Sequence, residues 1–250
     1  MEKTLYAETF KAEDVHGWFL ALHELIESYV EDYCRQKGGA RSIDIFDAGC
    51  GTGKLMERLK KYGQVDGMDF SEDAVAFCKK RGLENAVVGD LNRWSPSKTY
   101  DVITNIDVLY HKAIVDDTAV LKQFHCSLKE EGLLIFAVAA FECLKRSHDA
   151  AGHAARRYRR KEMVGKLKES GFRVEVQSYR GSYFFPPAFL KARLWCHSDK
   201  NTLASDLSSL PSPGINRWMH GLMRFENKLL RKFNLPFGVS LFIVARKPKT

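Results

Sequence analysis

The chain has 250 residues, 28% charged and 45% hydrophobic, which is enough for one well-buried α/β core with additions and short for two independent domains. It contains no run of about eighteen apolar residues and no basic stretch leading into an apolar one at its N-terminus, so neither a membrane span nor an exported leader is expected, and a cytoplasmic location is. The net charge of +8 is unevenly divided: residues 141–250 hold 22 Lys and Arg against 8 Asp and Glu, a balance of +14, which leaves 17 against 23, or −6, for residues 1–140. Such a split points to an anionic partner (a membrane surface, a phosphorylated substrate or nucleic acid), or else to a basic face turned to solvent. Cys34, Cys50, Cys78, Cys126, Cys143 and Cys196 are scattered, with no Cys-x-x-Cys pair. They read as free thiols of a reducing compartment, with no metal expected.

Residues 13–36 place Val15, Phe19, Leu22, Ile26, Tyr29 and Tyr33 at helical spacing, which predicts an amphipathic helix ended by Lys37-Gly38-Gly39. A strand rich in β-branched and aromatic residues (Ile43, Ile45, Phe46) then runs into Asp47-Ala48-Gly49-Cys50-Gly51-Thr52-Gly53 and a helix over 54–62. Strand 65–69, helix 72–81, strands 85–89 and 101–106, helix 115–128, strand 133–139, helix 161–170 and strands 172–179 and 239–245 follow. This alternation predicts an α/β fold, doubly wound and Rossmann-like. Almost sixty residues separate the last two strands, too many for a plain connection, so an added helical cap is expected there. From residue 215, Trp218, Met219, Leu222, Met223, Leu229, Leu230 and Phe233 recur at helical spacing among Arg217, Arg224, Lys228, Arg231 and Lys232. This basic amphipathic helix either packs its apolar stripe on the sheet, lies on an anionic membrane or closes over a greasy substrate.

The alternating glycines permit a tight turn and let a ligand lie against bare backbone at a helix N-terminus. Twenty positions after Gly49, Asp69 ends the second strand, where a carboxylate can hold ribose hydroxyls. The spacing differs from the dinucleotide fingerprint, and Asp47 ahead of the loop would repel a pyrophosphate but suits an ammonium and a sulfonium. At this point the chain resembles the class I S-adenosylmethionine-dependent methyltransferases. The resemblance continues through Val87-Val88-Gly89-Asp90-Leu91, through residues 100–111, and through Leu128-Lys129-Glu130-Glu131-Gly132, where the family usually has Pro-Gly-Gly. It implies S-adenosyl-L-methionine as cofactor and a seven-stranded, mostly parallel sheet with the last strand antiparallel. The implied cofactor contacts are Asp47, Gly49, Cys50, Gly51, Gly53, Asp69, Phe70, Asp90, Leu91 and Asn105, with Asp90 and the Leu91 backbone at the adenine. A subset of bacterial small-molecule methyltransferases is similar through His148-Asp149, Arg156-Arg157-Tyr158, residues 179–187 and Pro236-Phe237-Gly238 as well.

Methyl transfer is an in-line displacement that chiefly needs alignment and exclusion of water, with a base only where the acceptor must lose a proton. His111, after the fourth strand, is the expected base, or else caps the next helix; Tyr110 shares its edge. His148 beside Asp149 is a second candidate, and His153, Arg157 and Tyr158 should reach the same rim to bind acceptor; the resemblance implies that His16, Trp18 and Phe19 close over the cofactor and acceptor, and the alternative is plain core packing of the aromatics. The expected division is a helical cap over 1–40, a cofactor-binding core over 41–180, an inserted lid over 181–237 and a final strand and tail over 238–250. The expected activity is methyl transfer to an oxygen or nitrogen of a small or lipid-like acceptor, with peripheral contact at an anionic membrane surface. An RNA methyltransferase and a non-catalytic cofactor-binding protein are the alternatives, although the basic half contains no recognisable RNA-binding module.

Overall fold

The computed structural model of the chain describes residues 3–39, 42–145, 153–194 and 211–249. Its centre is a seven-stranded sheet of β1 (Ile43–Ala48), β2 (Gly63–Asp69), β3 (Ala86–Val88), β4 (Tyr100–Ile106), β5 (Leu128–Ala139), β6 (Arg173–Arg180) and β7 (Ser240–Arg246), in the order β3-β2-β1-β4-β5-β7-β6. β1 to β5 pair in parallel, whereas β7 is antiparallel to both β5 and β6, as expected. The direction of winding reverses between β1 and β4, and a crevice opens at the carboxyl ends of the strands on either side of such a reversal. β4 is buried along nearly its whole length, as a central parallel strand covered on both faces must be.

Among the described residues the helices are α1 (Lys3–Ala12), α2 (Gly17–Gln36), α3 (Lys54–Leu59), α4 (Glu72–Lys80), α5 (Asp117–Ser127), α6 (Arg160–Glu169), α7 (Phe185–Leu194) and α8 (Pro213–Leu230). One sheet face packs Ile26, Met56, Leu59 and Val244 into a core with α2, α3 and α4. The other packs Phe46, Trp94, Phe124, Met163 and Leu167 with α5 and α6, and the Phe46 and Trp94 rings stack at 4.3 Å. The hairpin into β5 turns at Glu131 with φ +61, a left-handed conformation held by Glu131 N donating to Lys247 O and Arg246 Nη1 donating to Glu131 O at 2.8 Å.

The N-terminus corrects the sequence reading. The helix expected over 13–36 begins only at Gly17, as α2, and a further helix that was not expected, α1, precedes it across a break at residues 13–16. His16 caps α2 by accepting from Trp18 N at 3.2 Å, and Arg81 fastens the break to the glycine loop. The Arg81 guanidinium donates to Thr52 O (3.0 Å), Phe10 O (3.1 Å) and Asp14 Oδ1 (3.2 Å) while lying over the Phe10 ring at 4.2 Å. No local periodicity reports that long-range tie.

α8 packs on α2 and not chiefly on the sheet, through Met219 and Met223 against Ala21, Trp18 and Phe184. A buried polar junction fixes it. Glu226, 1% exposed, accepts from Gly181 N (2.8 Å) and Ser182 N (2.7 Å), and Asn227 donates to Ala21 O (2.6 Å). Arg180, also 1% exposed, lies over the Trp18 ring and donates to Trp18 O; burial pulls its guanidinium down to about 10 while the Glu226 charge opposes that fall. Truncating Glu226 leaves a cation and two N–H groups buried without their counterpart, which costs about 3–5 kcal/mol. Urea unfolding of Glu226→Ala is expected to show that loss, and one below about 1 kcal/mol would contradict the junction's role.

Candidate functional site

At the carboxyl ends of β1, β2 and β4 lies a cavity of about 850 Å³, within the range of about 300–1,000 Å³ usual for small-molecule sites. Its floor is the loop after β1. Gly49 has φ +87, and a Cβ there would meet Val108 Cγ2 at 2.1 Å, so both the backbone and the contact exclude a side chain. Gly51 has φ +53 and faces open space, with nothing within 4 Å of the position a Cβ would take. Bare backbone therefore lines the cavity. Gly49 N and Cys50 N both donate to Met68 O, and Gly51 N donates to Asp69 Oδ2 at 2.9 Å, so the acid ending β2 also sets the loop's shape.

Asp47 is 2% exposed and lines the cavity. Burial pushes its carboxyl up to about 7, against the hydrogen bond it receives from Thr104 Oγ1 at 2.6 Å and with the Asp69 charge adding to the rise. Burial likewise raises Asp69, against hydrogen bonds from the backbone N–H groups of Ser71 and Gly51. Asp90 Oδ1 accepts from Asn92 N and Nδ2, which caps the turn after β3, and Asp90 and Leu91 form one wall. Phe70, 67% exposed, stands at the rim. Two carboxylates near an apolar chamber favour a ligand that brings a cation and hydroxyl groups, and an S-adenosylmethionine-sized group with its ammonium at Asp47 and its ribose at Asp69 fits these residues.

Of the cofactor residues expected from sequence, Asp47, Gly49, Cys50, Gly51, Asp69, Phe70, Asp90 and Leu91 line the cavity. Gly53 and Asn105 stand off it: Gly53 caps α3, and Asn105, fully buried, donates from Nδ2 to Ala48 O at 2.8 Å and braces β1 against β4. Tyr110 and His111 also line the cavity with His153, whose segment is drawn in where Ala155 N donates to Tyr110 O and Lys112 N to His153 O. The His111 and His153 rings meet edge to face at 5.7 Å. Phe19 lines the cavity too. His16 is the α2 cap and Trp18 packs against Phe184. Arg157 Nη1 donates to Ala140 O, and the buried Tyr158 hydroxyl donates to Asp117 Oδ2 at 2.8 Å, so both brace the wall from behind. His148 lies outside the described residues, as does Asp149.

The expectation that His111 is a base needs revision. His111 Nδ1 accepts from Ala113 N at 3.1 Å, which leaves the neutral ring's proton on Nε2, and burial pulls the imidazole down to about 4. In this arrangement the ring is a hydrogen-bond donor. Sequence reasoning also missed the roof, formed by Leu5, Tyr6 and Thr9 of α1 with Glu13, Leu22 and His23. Glu13, pushed up to about 7 by burial, accepts from the Thr52 hydroxyl of the glycine loop. His23, 4% exposed, is pulled down to about 3 by burial, then by the Arg58 and Arg180 charges, and its Nδ1 has no hydrogen-bond partner. The spacing Leu5, Thr9, Glu13 is helical and was the available signal.

A family described as a methyltransferase domain matches residues 45–132. A ubiquinone biosynthesis O-methyltransferase from Actinobacillus pleuropneumoniae is 27% identical over 137 residues, 50% of this chain and 57% of that protein. One from Shewanella is 28% identical over 131 residues, 49% of this chain and 54% of that protein. The matched region thus spans about half the length of these curated relatives. A TehB-like S-adenosylmethionine-dependent methyltransferase from Corynebacterium glutamicum superposes with a TM-score of 0.56 at 16% identity, covering 99% of this chain and 98% of that one. A putative sarcosine dimethylglycine methyltransferase from Galdieria sulphuraria does so with a TM-score of 0.55 at 17% identity, covering 92% and 86%. At these identities the superpositions speak for the fold.

The raised Asp47 carboxyl has a measurable sign. Its folded value lies above its unfolded one, so it favours the ligand-free fold at low pH and loses that contribution as pH rises from 3.8 to about 7. The buried histidines titrate in the opposite sense over part of this window, but they cancel when wild type is compared with Asp47→Asn. Wild-type stability relative to the variant is expected to fall by about 1.4 kcal/mol per pH unit across the window and then level off, measured by urea unfolding at a series of pH values. A constant difference would show that Asp47 is not shifted.

Proposed function

We propose, from the match of residues 45–132 to a methyltransferase domain and from the cavity that this region floors, that the protein is an S-adenosylmethionine-dependent enzyme that methylates an oxygen or nitrogen of a small, partly apolar acceptor. The observation that carries the reading is the continuity of one cavity from the glycine loop and its acids to an apolar end bearing Phe19, Leu22, His23, Tyr110, His111 and His153. S-adenosylmethionine, when bound, supplies an electrophilic methyl group on a sulfonium.

This chain's own residues bind, orient and exclude water. Asp47 holds the ammonium, Asp69 the ribose hydroxyls, and Asp90 with the Leu91 backbone the adenine edge. Gly51 leaves the floor bare for close approach. Phe19 and Leu22 desolvate the acceptor, which strengthens each polar contact it makes. His111 Nε2 would donate to the acceptor oxygen and orient it, and the neutral His23 imidazole would accept a hydrogen bond from the acceptor at Nδ1. With His111 a donor and His23 pulled down so far, an acceptor that ionises readily, such as a phenol or quinol, or one that needs no base, such as an amine, suits the site better than an alkyl alcohol. Residues 1–40 serve as the roof, 41–180 as the core, and 181–237 as an inserted subdomain that braces the roof through α8, with the final strand in 238–250. That a relative is named a ubiquinone biosynthesis O-methyltransferase supports this choice.

The test is transfer of labelled methyl from S-adenosylmethionine to phenols, quinols, amines, lipid extracts and total RNA. Turnover on a phenol, quinol or amine is expected, with His111→Ala lowering kcat/KM by at least about tenfold while cofactor affinity stays within about twofold, since only the acceptor loses a donor. Turnover on RNA alone would overturn the acceptor reading. Cofactor binding with no turnover on any class would reduce the protein to a cofactor-binding module.

A further inference from the structure

Among the described residues nothing covers the outer face of α8. Met219, Met223, Glu226, Asn227 and Leu230 are buried against α2 and β6, yet Ile215, Trp218 and Phe225 stand 61%, 68% and 55% exposed. With Leu222 and Leu229 between them, positions 215, 218, 222, 225 and 229 recur at intervals of three and four and form a second apolar stripe beside the buried one. Phe233, 66% exposed, extends it past the helix end. Exposed large aromatics at this spacing are a patch and not scattered singletons.

The charges beside the stripe identify what covers it. Arg217, Arg224, Lys228, Arg231 and Lys232 are all exposed and flank it on the side away from the core. The one acidic residue of positions 213–233 is Glu226, which is buried in the junction with Gly181 and Ser182. Arg224 is paired with Glu24 at 3.1 Å and Arg231 with Asp32, both from α2, and this orients the basic row without neutralising Arg217, Lys228 or Lys232. A protein partner of mixed charge needs no such one-sided row. A bilayer with anionic headgroups offers hydrocarbon for the aromatics and negative charge for the cations on one plane, which is the arrangement of a helix lying in a membrane interface.

We propose that α8 docks this protein on an anionic lipid bilayer, with Trp218 and Phe225 in the acyl boundary and Arg217, Arg224 and Lys228 at the headgroups. The contact is peripheral; among the described residues no helix is long and apolar enough to cross a membrane. Docking reaches the cavity through α2. Asn216 accepts from Gly17 N at 2.8 Å and donates to Val15 O at 2.6 Å, so the start of α8 grips the break between α1 and α2, and the opposite face of α2 supplies Phe19, Leu22 and His23 to the chamber. The inference goes beyond methyl transfer and stands whether or not the cofactor binds.

Full-length protein is sedimented with vesicles of phosphatidylcholine alone and of phosphatidylcholine with phosphatidylglycerol, at low and high salt, while tryptophan emission is followed. Binding to the anionic vesicles that weakens with salt, with a blue shift absent from Trp218→Phe, is expected. A Trp218→Ser, Phe225→Ser variant is expected to bind at least about tenfold less with an unchanged melting temperature, because the replaced side chains are exposed. Arg217→Glu with Lys228→Glu is expected to remove the preference for anionic vesicles. Absence of vesicle binding, equal binding by the serine variant, or a wild-type dimer that Trp218→Ser dissociates would overturn the proposal, the last by making the stripe an interface between two copies.

Discussion

A carboxylate taken out of water at the end of β1 governs the site. Burial, with the Asp69 charge adding to it, outweighs the hydrogen bond from Thr104 and lifts Asp47 from 3.8 to about 7, a net of roughly 4 kcal/mol against its charged form. A fold that keeps such a group at the floor of a cavity is poised for a cation. Asp69 adds to the strain electrostatically and at the same time holds the loop in shape through Gly51 N, so the two acids and the glycine turn act as one unit. Left-handed backbone at Gly49 lets Val108 of the β4 loop close against it, which joins the cofactor end to the acceptor end.

Around that unit the protein builds a roof and anchors it at both ends. Arg81 ties the break between α1 and α2 to Thr52, and Glu13 takes the Thr52 hydroxyl from above, so the roof bonds directly to the glycine loop. From the other side Asn216 and Asn227 of α8 bond to Gly17 and Ala21 in the first turns of α2. α2 thus carries the acceptor chamber on one face and α8 on another. Anything that shifts α8 therefore bears, through α2, on Phe19 and His23 of the cavity.

The cofactor half was legible in the sequence because its determinants are local. Glycines at alternate positions, an acid before them and acids at the ends of β2 and β3 follow from strand and turn chemistry within a few residues. The acceptor half depends on contacts distant in sequence. α1 carries a local signal in the helical spacing of Leu5 and Thr9, but its place as a roof depends on the distant bond from Thr52 to Glu13 just past its end, and the role of His111 turned on one hydrogen bond from Ala113 N that no pattern announces. Asn105 looked like a cofactor ligand because it sits near the end of β4, but it is fully buried off the cavity, with its Nδ2 donating to Ala48 O. The amphipathic character of α8 was plain, whereas the division of its apolar arc into a buried and an open stripe required the packing of α2.

The central claim is that the Asp47 carboxylate receives the ammonium of S-adenosylmethionine. Calorimetry of S-adenosylmethionine binding just below pH 7, repeated in buffers of different ionisation enthalpy, tests it most directly, because ligand binding must then drive a proton off a carboxyl held up to about 7. The account predicts binding with proton release in wild type, and weaker binding with that release diminished in Asp47→Asn. Binding without proton release, or no binding, would contradict it.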